Sequence, residues 1–170
     1  MTTVHKTGEV DIFLKVTGVK HGFIKGESQD ASHKDEIEVE AFSWQVDQPR
    51  TDHGAGLASG KRIHGPFRIL MRTNAATPIL FQACVTGEVL KDVTLTCRKA
   101  GKGPQAYLKW VLSNAFITQF KTGYRTEDQL VPTDELSLAS NKITVEYRAQ
   151  KSDGTLGGAV TGTDDMGSTR

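Results

Sequence analysis

The 170-residue sequence has little cysteine, few aromatic residues, almost no excess of charge of either sign and no long hydrophobic run. Two cysteines, Cys84 and Cys97, are too few for a disulfide scaffold and form no C-x-x-C pair. Lysine and arginine total 21 against 20 aspartates and glutamates, which argues against a dedicated nucleic-acid binder. No run approaches the roughly 18 apolar residues that span a bilayer, so we expect no membrane insertion.

The first nine residues have neither the hydrophobic region nor the charge pattern of a cleaved signal peptide, and Glu9 brings in an acidic residue early. We therefore expect the protein to be made and folded in the cytoplasm. Export would need a route that does not read such a signal.

Residue types that carry catalysis or bind metals occur, but in no pattern that predicts a site. The five histidines show no helical i, i+4 zinc pair, and His53 and His64 are more typical of solvated loop residues. There is no G-x-S-x-G and no P-loop. A cysteine enzyme using Cys84 is one hypothesis, but its place on an apolar helix face favours an inert thiol. We predict no catalytic residue, no cofactor and no metal.

Alternation of apolar and polar residues with a period of two dominates the chain and predicts seven to nine β-strands. A single helix is predicted after Thr77, a residue type that caps helices, with Pro78 in the first turn and Gly87 as the left-handed C-terminal residue. Cys84 falls on its apolar face. The predicted fold is mainly β, a sandwich or barrel with one flanking helix.

The segment from residue 36 to 46 changes phase. Ile37 and Val39 share one face, whereas Phe42, Trp44 and Val46 share the other. We therefore expect either a bulge near residue 41 or a strand covered on both faces, with the three later residues directed to the core.

Three further segments carry expectations about exposure. Residues 48–65, with one proline and four glycines, are expected to form a long loop that is functional or disordered. Between residues 89 and 98 the face containing Thr96 and Arg98 is expected to be wet. Leu136–Leu138 and Ile143–Tyr147 are expected as two separate strands, and the glycine-rich chain after Lys151 as a loose or weakly paired tail.

Charged residues are segregated along the chain. Glu36, Glu38 and Glu40 alternate on one strand, and basic residues gather elsewhere, at Lys91, Arg98, Lys99, Lys102 and Lys109. Separate acidic and basic faces on a nearly neutral protein fit head-to-tail self-association. An ordinary solvated surface fits the same pattern almost as well.

Several short motifs stand in a characteristic order between about residues 10 and 160. They comprise residues 25–28 (KGES), 33–39 (HKDEIEV), 42–44 (FSW), 48–49 (QP), 77–87 (TPILFQACVTG), 95–101 (LTCRKAG), 107–108 (YL), 132–135 (PTDE), 143–147 (ITVEY), 150–154 (QKSDG) and 157–160 (GGAV). Together they resemble the Hcp (hemolysin-coregulated protein) family, the tube-forming proteins of bacterial type VI secretion systems.

The resemblance implies a β-barrel of two sheets with one flanking helix, assembling as a homohexameric ring. In such a system rings stack into a tube that meets sheath and spike proteins and carries or protects small effector proteins in its lumen. The resemblance also implies export to the extracellular space or a target cell without a cleaved signal. It implies a structural protein and no enzyme.

Carried onto this chain, the resemblance predicts one Hcp-like domain over residues 1–160 and a flexible tail over 161–170. Ser43 and Gln45 are predicted to face the lumen, with an ordinary exposed strand face as the equal alternative. The long loop is predicted to contact a neighbouring subunit or ring, through Pro49, His53, Gly54, Gly56, Leu57, Gly60, Lys61 and Arg62. Residues 21–24 look inserted relative to the family, which would place Phe23 and Ile24 in a loop.

A second class of function stays open at this point. The chain could be a monomeric β-barrel binding module for a small ligand. That hypothesis predicts an apolar cavity and a monomer, whereas the tube hypothesis predicts a hexamer with a polar lumen.

Overall fold

The computed structural model describes residues 10–51, 58–99, 105–124 and 131–167. In these ranges the chain forms twelve β-strands and one α-helix. In chain order they are β1 Val10–Gly18, β2 Gly22–Ile24, β3 Ile37–Ser43, β4 Val46–Asp47, β5 Arg50–Thr51, β6 Ala58–Ser59, β7 Ile63–His64, β8 Phe67–Arg72, α1 Thr77–Thr86, β9 Leu90–Lys99, β10 Ala106–Gly123, β11 Thr133–Gln150 and β12 Leu156–Asp165.

Six strands close into a barrel. Their order is β10-β9-β1-β3-β8-β11, and antiparallel pairing of β10 with β11 completes the circle. The 18-residue β11 pairs with β8 through its first part and with β12 through its last part, so β12 continues the sheet beyond the barrel. The mainly β architecture with one flanking helix, predicted from the sequence, is confirmed.

The barrel interior is filled by the apolar residues of each alternating strand. On β8, Phe67, Ile69 and Met71 are all at most 1% exposed, and on β1 Leu14 and Val16 are equally buried. Burying each such side chain contributes about 1.5–3 kcal/mol relative to leaving it in water. The alternation of Phe67, Ile69 and Met71 in the sequence therefore identifies the core side of β8 correctly.

The helix ends as predicted but begins differently. Gly87 has a φ of 63°, the left-handed conformation that glycine adopts without strain, and the Glu88 amide donates to the Ala83 carbonyl across it. Ala76 occupies the N-cap position and makes no side-chain cap. Thr77 is inside the helix, and its hydroxyl donates to Asp134 Oδ2 at 2.5 Å, which ties α1 to β11.

The phase change on β3 is produced by a bulge. Pairing with β8 shifts between Val39 and Ala41, so Glu40 is the additional residue. Beyond it Phe42 is half-buried against the core. The prediction for Val46 was wrong, because β3 ends at Ser43 and Val46 is 46% exposed on a separate strand.

The predicted wet face of β9 is confirmed at Asp92, which is exposed, but was wrong at Thr96 and Arg98. Thr96 is 5% exposed and Arg98 8%. The polar segment between β2 and β3 covers this side of the barrel, and its Asp30 binds the Arg98 guanidinium. A period-two pattern cannot reveal that a distant loop folds over a polar strand face.

The C-terminal part of the chain is more ordered than its composition suggests. Residues 136–138 and 143–147 belong to one strand, β11, and the glycine-rich segment pairs with it, from Leu156 opposite Gln150 to Asp165 opposite Lys142. Position 160, where we placed the end of the domain, lies inside β12. Residues 161–165 are therefore part of the sheet, because backbone pairing needs no large side chains.

Residues 21–24 form a turn and a short strand. β2 pairs with the end of β1, and Ile24 is 2% exposed, so it belongs to the core and not to a loop. Glu88 accepts the backbone N–H groups of Lys20 and His21 and contacts His21 Nδ1 at 2.5 Å. Burial alone would raise the pKa of Glu88, but these hydrogen bonds to the carboxylate lower it overall.

Candidate functional site

The described residues contain no cluster of three or more histidine, cysteine or acidic side chains placed to hold a metal ion. The one helix found in them is too short to cross a bilayer. Cys97 is 2% exposed, and burial raises the pKa of its thiol to about 11, which disfavours the reactive thiolate. Cys84 is half-buried on α1. The candidate functional features described below are a set of short paired strands, exposed apolar patches and an open cleft.

The described part of the predicted long loop forms short antiparallel strands that pair with one another, and we call residues 45–51 and 58–65 the arm. Val46 pairs with His64 near its base, and Arg50 pairs with Ser59 further out. Between these pairs the Gly60 amide donates to the Pro49 carbonyl at 3.0 Å. The sequence suggested a long loop because glycine and proline obscure the alternation of four two-residue strands.

The structure brings some of the predicted arm residues together. Pro49 and Gly60 face each other, and a Cβ added to Gly60 would lie 3.1 Å from the Pro49 carbonyl oxygen. Lys61 is exposed and lies between β6 and β7. His53, Gly54, Gly56 and Leu57 lie outside the described residues.

A clasp of three side chains holds the base of the arm against β12. Asp164 Oδ2 accepts a hydrogen bond from Arg62 Nε at 2.6 Å. The same oxygen contacts His64 Nε2, also at 2.6 Å. The hydrogen bond from Arg62 is the main reason that the pKa of Asp164 lies below its ordinary value. Trp44 Nε1 donates to the Gly65 carbonyl at 3.1 Å, and the Trp44 ring stacks on His64. Sequence analysis did not identify Asp164, which is 100 residues from His64.

Ser43 and Gln45, the two predicted lumen residues, are both exposed. Ser43 is the last residue of β3 and lies opposite Arg68 of β8. Gln45 is in the arm, where its carbonyl accepts the Gly65 amide and its Nε2 donates to Asp47 at 3.1 Å. Their exposure agrees with either an assembly lumen or an ordinary strand face, so the lumenal role stays a prediction.

Two exposed apolar patches occur at distant places. The helix patch consists of Phe81 and Val85, 51% and 64% exposed, with Phe120 of β10 in edge contact with Phe81. The strand patch consists of Tyr147 and Val160, 48% and 72% exposed and opposite each other on β11 and β12. The helix patch could have been found from the sequence, because Phe81 and Val85 lie on the face opposite Leu80 and Ala83.

An open cleft of about 300 Å³ lies at one end of the barrel. It is mostly apolar, lined by Trp44, Leu112, Leu138, Ile143 and Met166, with His64 at its edge. The volume is at the lower limit for small-molecule sites, and few polar groups converge on it. This cleft is the feature that the binding-module hypothesis would use.

The model of the family described as "Type VI secretion system effector, Hcp" matches residues 13–147 of this chain. The chain belongs to the Hcp family. Members are structural proteins of type VI secretion, and the family is not one of enzymes. The resemblance read from the sequence motifs is thereby confirmed.

Relatives of this Hcp chain agree with the assignment. It is 35% identical over 152 residues to the protein hcp1 of Pseudomonas aeruginosa, covering 88% of this chain and 90% of the relative. It is 31% identical over 120 residues to a "Major exported protein" of the same organism, covering 64% and 69%. The crystal structure of Hcp1 from Salmonella typhimurium superposes with a TM-score of 0.75 at 30% identity, covering 92% of this chain and 95% of that one.

Proposed function

We propose that this Hcp chain forms homohexameric rings that stack into the inner tube of a type VI secretion system. In that role it is made in the bacterial cytoplasm, meets sheath and spike proteins, and is exported with effector proteins in its lumen. The observation that carries the proposal is the pair of unlike apolar patches, because a closed ring needs two different surfaces on each subunit.

The two patches lie near opposite ends of the β10–β11 hairpin. Phe120 of the helix patch pairs with Leu136, whereas Tyr147 of the strand patch pairs with Leu108. Twelve residues of strand separate Leu108 from Phe120, a path of at most roughly 40 Å along the strand at about 3.3 Å per residue. Patches so far apart support head-to-tail contact between successive subunits, with the helix patch of one against the strand patch of the next.

The edge of β12 supports the same arrangement. This ten-residue strand pairs only with β11 among the described residues, and its sequence, LGGAVTGTDD, carries charge only at its end. Monomeric proteins usually protect such an edge with lysine, proline or a covering loop. An edge without these devices favours burial against another subunit.

The arm supplies a separate surface for stacking. Residues 45–50 and 61–63 of the arm are exposed, and the clasp holds its base to the end of β12. Contact between the arm of one ring and the neighbouring ring would use surface that neither apolar patch occupies. Ring closure and ring stacking are therefore separable by mutation.

Light scattering after size exclusion tests the ring. We expect a particle of six times the 18.5 kDa chain mass. A monomer that persists at high concentration and low salt would contradict the tube proposal. It would favour the monomeric binding module, with the cleft beside Trp44 and His64 as its ligand site.

A further inference from the structure

The face of the barrel that carries Ser43 also carries an arginine. Ser43 of β3 lies opposite Arg68 of β8, Arg68 opposite Ser137 of β11, and Ser137 opposite Gln119 of β10. Directly opposite residues on neighbouring strands project to the same face, with their Cβ atoms about 4.5–5.5 Å apart. Ser43 and Arg68 therefore project from the same face of the sheet, whichever surface of an assembly that face lines.

Arg68 has no ion pair among the residues that the structure describes. The nearest acidic residues on this face have other neighbours. Glu40 accepts a hydrogen bond from Arg72 at 2.7 Å, and Glu135 lies opposite Lys121. Arg68 is thus exposed, and its positive charge has no acidic partner in the part of the chain that the structure describes.

The residues beside Arg68 leave it accessible. Its cross-strand neighbours, Ser43 and Ser137, are short, and so is Ala41 in the adjacent row opposite Leu70. A guanidinium in such a setting can bind a carboxylate through two parallel N–H donors, a geometry that a lysine cannot offer. Ser137 is 4% exposed, so the accessible part of the row consists of the Arg68 cation and the short hydroxyl side chain of Ser43. This combination fits an acidic protein segment better than an apolar or basic one.

We propose that Arg68 selects acidic cargo inside the ring. This inference rests on the proposed function, because Ser43 and Arg68 line the lumen only if the rings form as described. A hexamer would then present six equivalent arginines, and carboxylates on an effector surface would bind among them. The contact is electrostatic, so it weakens as salt is raised and the Debye length falls below about 8 Å.

The experiment uses the purified full-length protein and fluorescein-labelled decaglutamate, with labelled decalysine as the probe of opposite charge. R68S and R72S are the matched variants, since both remove one arginine per subunit from the same face of β8. We expect R68S to weaken decaglutamate binding at least fivefold at low salt. R68K should weaken it by a smaller factor, and R72S should change it less than twofold. Wild-type protein should bind decalysine at least tenfold more weakly.

A second variant tests the placement of Arg68 beside Ser43. S43D puts a carboxylate directly opposite the guanidinium, and we expect it to weaken decaglutamate binding at least fivefold in the wild type. In the R68S background, S43D should weaken decaglutamate binding by less than a further twofold. The effects of substitutions at neighbouring residues that act together are not additive.

Light scattering on every variant separates the role of Arg68 from the formation of the ring. Hexamers whose decaglutamate affinity falls equally in R68S and R72S would overturn the role of Arg68 and leave the ring intact. A monomeric wild type would overturn the ring and the lumenal role of Arg68 together, whatever the peptide binds.

Discussion

At the residue scale, Arg98 is a charged side chain that is buried on the barrel and paired with carboxylates. Its side chain is 9% exposed, binds the carboxylate of Asp30, reaches Asp11 Oδ2 at 3.4 Å, and lies over the Phe13 ring at 4.8 Å. The hydrogen bond from Arg98 is the main reason that the pKa of Asp30 is lowered from its ordinary value of 3.8. Asp30 thereby fastens the polar segment between β2 and β3 to the barrel.

Replacing Asp30 should destabilise the fold. We expect Asp30→Asn to lower the free energy of unfolding by about 1–3 kcal/mol, because it leaves the buried guanidinium without its closest charged partner. Urea denaturation measures the difference. Asp11→Asn is the matched control and should cost less, since Asp11 is further from Arg98. Equal losses of unfolding free energy in Asp30→Asn and Asp11→Asn would contradict the assignment of Asp30 as the main partner of Arg98.

The contact between Asp30 and Arg98 also makes the free energy of unfolding depend on pH. The folded-state pKa of Asp30 is below its unfolded value of about 3.8, so its contribution is fully present above that value. The contribution is lost as the pH falls through the lowered folded-state pKa. We therefore expect the stability difference between wild type and Asp30→Asn to shrink below pH 4 in urea titrations, and a difference that grows there would be evidence against it.

At the element scale, the arm depends on contacts outside itself. Two-residue strands are too short to be stable alone, and an isolated hairpin is marginal in water. Asp164 connects the arm to β12 through Arg62 and His64, while Trp44 fixes the carbonyl of Gly65. The direction in which the arm projects is therefore determined by a residue of the C-terminal strand.

Asp164→Asn should release the arm and leave the barrel folded. Losing hydrogen bonds to a charged group costs about 1.5–3 kcal/mol, so local opening should become at least about tenfold more frequent. Tryptic cleavage at Arg50 and Lys61 measures that opening. Asp153→Asn, in the turn before β12, is the control and should leave the cleavage rate unchanged. If the arm contacts neighbouring rings, electron microscopy should show rings of Asp164→Asn that no longer form long tubes.

At the scale of the whole molecule, assembly depends on surface that the monomer leaves exposed. Val160 is 72% exposed and Val19, in the turn after β1, is 67% exposed. Neither side chain contributes much to the monomer's core. Only Val160 belongs to a patch at the free edge of a sheet, so the two valines should respond differently when the protein assembles.

Val160→Lys should dissociate the ring, whereas Val19→Lys should not. An unpaired lysine buried at a subunit contact costs several kcal/mol, which raises the dissociation constant of that contact at least about tenfold. Light scattering across a dilution series detects the change in mass. Rings of unaltered stability in Val160→Lys would show that β12 lies outside the subunit interface.

The sequence by itself determined the elements that depend on neighbouring residues. The alternation of Phe67, Ile69 and Met71 identified a buried strand, and Gly87 identified the end of the helix. The phase change after Val39 indicated either a bulge or a strand covered on both faces, and β3 has the bulge. Each of these follows from the fixed period of a strand or the backbone freedom of one glycine, so a short window of sequence contains the whole reason.

Only the tertiary structure decided which distant segments meet. It continued β11 through residues 139–142, paired the glycine-rich segment with it, and buried Arg98 beneath a loop that approaches from 68 residues away. It also placed Asp164 on Arg62 and Arg68 beside Ser43. Pairing between strands uses backbone groups that every residue carries, and ion pairs need only two opposite charges. Neither leaves a local pattern, so the partner is chosen by the closure of the barrel as a whole.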